Sequence, residues 1–140
     1  MSDKFFLDTN ILVYAHDSED LDKQRRSQEL VEKALRTGDG LISPQVLSEY
    51  YVTVTKKIQT PLSEDVAKRE INVLSDLCRI DLDATLVRKA LDLKARWKLS
   101  YWDALILSAA ERGSCTILYS EDLSHGQKIE NILVQNPFKT

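Results

Sequence analysis

Three observations predict an α/β fold with a mostly parallel central sheet flanked by helices. Short apolar runs alternate with amphipathic helical stretches along the whole chain. The first run, Phe5-Phe6-Leu7, is apolar without alternation, which suits a strand covered on both faces as parallel strands are. That run and a later one ending at Tyr119 both stop at a polar turn carrying a carboxylate, and ligands of open α/β sheets bind just outside the carboxyl ends of the strands.

The elements follow in order. Asp8-Thr9-Asn10 separates the first strand from a second apolar segment, Ile11-Leu12-Val13-Tyr14-Ala15, so Asp8 sits at a strand-to-helix turn. There it is either the N-cap of the helix or a site residue. Residues 16–22 are polar and acidic and read as a loop. An amphipathic helix is predicted over 21–36, with Leu30, Val31, Ala34 and Leu35 on its apolar side, ended by Gly38-Asp39-Gly40. Leu41-Ile42 is a short strand, and Ser43-Pro44 opens a helix to about Lys57, with Ser as N-cap and Pro in the first turn. After the break at Thr60-Pro61-Leu62, Ser63 caps a helix over 64–77. Residues 78–82 alternate like a strand with one solvated face. Asp83 caps a helix over 84–98, and Ser100 opens another to Arg112, stopped by Gly113. Strands are expected over 116–119 and 132–134, before Asn136-Pro137-Phe138.

With 140 residues, 43% of them hydrophobic and 29% charged, the chain is read as one globular domain, 1–140. Its apolar runs are too short for a membrane span, and Met1-Ser2-Asp3-Lys4 shows no signal-peptide pattern. Cys78 and Cys115 lie far apart, without metal-ligand spacing, and are expected to be buried reduced thiols. These features predict a cytoplasmic protein. A net charge of −3 argues against binding nucleic acid through a bulk positive field, but not against a carboxylate site that meets phosphate through a metal ion.

Four acids are out of place by context: Asp8, Glu49, Asp103 and Asp122. The helix holding Asp103 is apolar nearly all round, and a buried carboxylate needs a partner. That partner is either the backbone, since Ser100-x-x-Asp103 has capping-box spacing, or a site, and the two are compatible. Asp122 repeats the position of Asp8 beyond a strand end, with Glu121 as a neighbouring candidate. Glu49 reads as solvent-exposed by periodicity, and only its place early in a helix that follows a strand brings it to the same edge. Acids gathered at one edge repel each other unless neutralised. With His16 and His125 isolated, oxygen-only ligation points to Mg²⁺ or Mn²⁺, ions that commonly act on phosphate. Of the basic residues, Arg25, Arg26, Lys56, Lys57, Arg88, Lys89, Lys94, Arg96 and Lys98 are available for phosphate contacts, each read by itself as an ordinary solvated residue.

The stretches around Phe6–Tyr14, Ser48-Glu49-Tyr50, Ser100–Ile106 and Ile117–Leu123, with the closing Asn136-Pro137-Phe138, together resemble the PIN-domain ribonucleases in order and spacing. The chain looks most like the compact bacterial VapC-type branch, the toxins of toxin–antitoxin pairs. The resemblance implies a PIN-like three-layer α/β/α sandwich and an endoribonuclease that uses a metal-activated water. It implies that Asp8, Glu49, Asp103 and Asp122 form an acidic quartet for Mg²⁺ or Mn²⁺. Thr9 and Ser120 stand where the family often carries a supporting hydroxyl, and Asn10 matches its usual polar neighbour. It further implies an RNA substrate, a homodimer, and an antitoxin seated in an apolar groove, for which the helices over 21–36 and 43–57 are candidate walls. Two alternatives differ in class. A haloacid-dehalogenase-like phosphatase needs a second Asp two residues after the first, where this chain has Asn10. A catalytically silent RNA- or protein-binding module has no need of an intact quartet.

Overall fold

A computed structural model describes residues 3–139; Met1 and Ser2, the start of the stretch read for a signal peptide, and Thr140 lie outside the described residues. Its sheet has five strands in the order β2-β1-β3-β5-β4: β1 (Phe5–Leu7), β2 (Gly40–Leu41), β3 (Ile117–Tyr119), β4 (Lys128–Ile129) and β5 (Ile132–Gln135). The first four in that order run parallel, and only β4 pairs antiparallel, with β5. Phe5, Phe6 and Leu7 are all buried, the expected state of an interior strand packed on both faces.

Among the described residues six α-helices flank the sheet: α1 (Thr9–Tyr14), α2 (Leu21–Thr37), α3 (Pro44–Lys56), α4 (Glu64–Leu74), α5 (Ala84–Trp97) and α6 (Tyr101–Arg112). Helices α1 to α4 pack on one another, with α2 against β2, whereas α5 packs on α6 and α6 against β5. The result is a three-layer α/β/α sandwich. Glycine fixes two of the joints. Gly38 takes φ 75° and closes α2, its N–H donating to Ala34 O. Gly40 lets α2 lie directly on β2, because a Cβ there would stand 2.2 Å from Ala34 Cβ.

Three elements depart from the sequence reading. The helix expected over 64–77 ends at Leu74 and tightens into a 3₁₀ turn, Ser75–Leu77, where the Ser75 hydroxyl donates to Ile71 O at 2.6 Å. The strand expected over 78–82 is reduced to a single parallel bridge between Cys78 and Ile42. Arg79 ties this segment to loops instead, donating to the carbonyls of Gly38 and Asp76. Finally, β4 forms an unanticipated hairpin with β5 through Glu130-Asn131, in which Glu130 adopts φ 54°. The dipeptide lacks the glycine that usually marks such turns.

Candidate metal centre

Parallel pairing of β1 with β3 sets Leu7 beside Tyr119, so Asp8 and Ser120 leave the sheet side by side at its carboxyl edge. Ser120 Oγ donates to Asp8 Oδ2 at 2.7 Å and accepts from Asp122 N at 3.1 Å, which joins the two turns. The other Asp8 oxygen, Oδ1, accepts from Thr9 N at 2.7 Å and caps α1. The two readings of Asp8 therefore coexist: one oxygen caps, and the carboxylate as a whole lies in the cluster. Asp103 shows a similar economy. Ser100 Oγ accepts from Asp103 N at 3.1 Å, which is the forward half of a capping box, and the Asp103 carboxylate is left free to face the sheet edge.

Asp8, Asp103 and Asp122 each offer one carboxylate oxygen, and these oxygens lie within 4.8 Å of one another. Burial is graded: Asp8 is buried, Asp103 half-buried and Asp122 exposed. Among the described residues, no lysine, arginine or histidine lies within 4 Å of any of the three. Asp8 and Asp122 both hold their protons more tightly than a free carboxyl does. Burial pushes Asp8 up to about 6, against the pull of the Ser120 and Thr9 hydrogen bonds, and the charges of Asp122 and Asp103 push it further. Asp122 is also raised, by partial desolvation of its carboxyl and then by Asp103; the Asn10 amide, near it but short of hydrogen-bond geometry, pulls the other way. The Thr9 hydroxyl and both polar atoms of the Asn10 amide are buried without partners beside this cluster. An oxygen-only donor set, mutual repulsion and orphaned polar atoms fit a hard divalent cation.

Glu49 is exposed on α3 and accepts from Gln45 Nε2 at 2.8 Å, outside the group of three. Glu121 is also elsewhere. Its two oxygens are taken by Tyr14 Oη at 2.6 Å and Lys23 Nζ at 2.5 Å. The sequence reading passed over Lys23 and Tyr14, since no local signal links them to a residue about a hundred positions away. Several of the basic residues named for phosphate contact are ion-paired on the surface: Arg25 with Asp22, Arg26 with Glu29, Lys89 with Glu111 and Arg96 with Glu130. His16 is half-buried, 3.9 Å from Glu70, and His125 Nδ1 accepts from Asn136 N.

A concavity of about 560 Å³, lined by Ala15, His16, Val31, Leu35 and Glu70 among others, borders α2. Glu70 brings α4 into its lining.

The family model for the PIN domain matches residues 5–128. Solved structures share the fold across almost the whole chain. A toxin–antitoxin complex from Klebsiella pneumoniae superposes with a TM-score of 0.70 at 20% identity, over 98% of this chain and 100% of that one. DNA-bound VapBC from Salmonella typhimurium gives 0.65 at 19% identity, over 96% and 98%. VapC20 of Mycobacterium tuberculosis, a toxin that cleaves the sarcin–ricin loop, gives 0.64 at 17% identity, over 85% and 90%. No curated protein gives a significant match to the chain.

Proposed function

The chain belongs to the PIN-domain family, and from that premise we propose that it is a metal-dependent endoribonuclease of the VapC toxin type. The observation that carries the reading is the convergence of Asp8, Asp103 and Asp122, drawn from three separated parts of the sequence, at one edge of the sheet. These three would hold Mg²⁺ or Mn²⁺, with Glu49 as an outer member of the quartet on the neighbouring helix. When bound, such an ion supplies an activated water and offsets negative charge on the phosphodiester. Ser120 and the Thr9 amide fix the Asp8 carboxylate in orientation, and the Ser100 cap does the same for the backbone of Asp103. Thr9 and Asn10 bring unpaired polar atoms to the same edge.

Similarity to structures solved as toxin–antitoxin complexes supports a cognate antitoxin as partner, and the same likeness is the ground for proposing a homodimer acting in the cytoplasm. No helix among the described residues is long and apolar enough to cross a membrane.

The test is incubation with a pool of single-stranded and structured RNAs in Mn²⁺, Mg²⁺ or EDTA, beside Asp8→Asn and Glu49→Gln. Cleavage that needs the metal, disappears in Asp8→Asn and falls less in Glu49→Gln is the expected result. Cleavage that survives EDTA, or no cleavage by antitoxin-free wild type, overturns the reading. Purification under stringent washing, with light scattering for mass, checks the antitoxin and the dimer.

A further inference from the structure

We propose that Lys23, acting with Tyr14, is a positioning residue: it holds Glu121 out of the acidic centre and thereby keeps Asp122 aimed into it. The inference rests on the metal-centre reading above.

Residues 120–122 form a short turn whose first two members are pinned. Ser120 is fixed by its N–H to Gln135 O and by its hydroxyl to Asp8. Glu121 is fixed through both carboxylate oxygens, one to Tyr14 Oη and the other to Lys23 Nζ. Lys23 is itself confined. Its ammonium lies 3.5 Å from Tyr14 Oη, 4.8 Å from the Tyr14 ring centre and 5.4 Å from that of Phe138. The two rings meet edge to face with centres 5.2 Å apart. The pair is only 31% and 27% exposed, so solvent screens it less than a fully exposed ion pair. Asp122, by contrast, is exposed, and nothing but the Ser120 hydroxyl holds its backbone N–H. Its direction therefore follows from the two residues before it. Successive side chains of the turn diverge, so anchoring Glu121 toward α1 and α2 turns Asp122 toward Asp8 and Asp103. Without the anchor, two adjacent acids compete for the same place.

Groups that orient metal-holding residues without touching the ion usually matter to affinity by about tenfold or more. Mn²⁺ binding at pH 7.5, measured by isothermal titration calorimetry, should therefore weaken about tenfold in both Lys23→Met and Glu121→Gln. The double variant should be no weaker than either single one, because both break the same clamp. Lys23→Arg should bind within about twofold of wild type, since it keeps the charge and the donors. Tyr14→Phe, which removes one hydrogen bond, should lose about threefold. Unfolding midpoints in EDTA show whether each variant is folded, and Tyr14→Phe carries the test if Lys23→Met is not. Unchanged affinity in Lys23→Met or Tyr14→Phe overturns the proposal. So does tighter binding in Lys23→Met with weaker binding in Glu121→Gln, the pattern of charge alone. A wild type that binds no Mn²⁺ overturns the metal centre together with the clamp, whereas normal wild-type binding with an unaffected Lys23→Met removes only the clamp.

Discussion

At the scale of single residues, the proposed role of Asp8 as a metal ligand conflicts with stability. Its carboxyl titrates near 6 in the folded chain against 3.8 when free, so the folded state keeps a proton that the unfolded state releases. Below the lower value both states are protonated and Asp8 contributes nothing. Between the two values stability falls as pH rises, and above about 6 the full penalty is present, on the order of 3 kcal/mol. Asp8→Asn removes that charge while sacrificing one acceptor, at a cost of about 1 kcal/mol. In EDTA at pH 8 the variant should therefore be more stable than wild type by about 1–2 kcal/mol in urea denaturation. At pH 4 the advantage should vanish. A variant less stable at both pH values would mean that Asp8 is held as a structural carboxylate with its charge already balanced. The three aspartates were legible in the sequence because each is a carboxylate set against an apolar strand or helix. The choice between Glu121 and Asp122 was not, because it is made by Lys23 and Tyr14, which only the folded chain brings near.

The elements were legible where local chemistry punctuates them. Ser63, Asp83 and Ser100 all cap their helices through side-chain oxygens, and Gly38 ends α2 in the left-handed region. Ser43 stands at its N-cap position without a side-chain cap bond, so there Pro44 is the stronger signal. The misread elements lacked such punctuation or misused it. The alternation over 78–82 records a buried Ile80, a half-buried Cys78 and a bridge to the sheet rather than membership of it, so of the two cysteines expected to be buried only Cys115 is, and the Glu130-Asn131 hairpin spends a left-handed residue that its sequence does not advertise. One element-scale prediction follows from the contact of α2 with β2. In Gly40→Ala the new methyl would stand 2.2 Å from Ala34 Cβ and 2.9 Å from both Ala34 Cα and the Phe5 ring, so the helix must move off the strand. The expected loss is about 3 kcal/mol by urea denaturation. Adding Ala34→Gly should recover part of it, although the contacts with the residue 34 Cα and with Phe5 persist. A wild-type midpoint for Gly40→Ala would contradict the close apposition of α2 and β2.

For the molecule as a whole, the fold's main consequence is electrostatic. The mild net charge of −3 conceals a local concentration of acid, because the parallel register of β1 and β3 and the cap of α6 deliver three carboxylates to one place with no basic side chain among the described residues ion-paired to them. On the proposed reading the fold is linked to metal: an ion that binds the assembled centre and not the unfolded chain would stabilise the native state by mass action. At a hundredfold excess of Mn²⁺ over its dissociation constant the gain is about 2.7 kcal/mol. For a domain of this size that raises the unfolding midpoint by about 5–10 °C. The sign of its pH dependence is fixed by the same carboxyls. Metal competes with protons for them, so the gain should be small at pH 4.5, where Asp8 is protonated in the folded chain, and should grow as pH passes about 6. Stability without metal thus declines with rising pH through the interval in which metal stabilisation appears, and a divalent ion should flatten or invert the slope. Thermal unfolding at pH 4.5 and 7.5, with EDTA or Mn²⁺, measures both effects, and Asp8→Asn should abolish most of the Mn²⁺ shift at pH 7.5. A shift that is independent of pH and kept in Asp8→Asn would place the bound ion away from the sheet edge, and the three aspartates would then be a cluster without a cation.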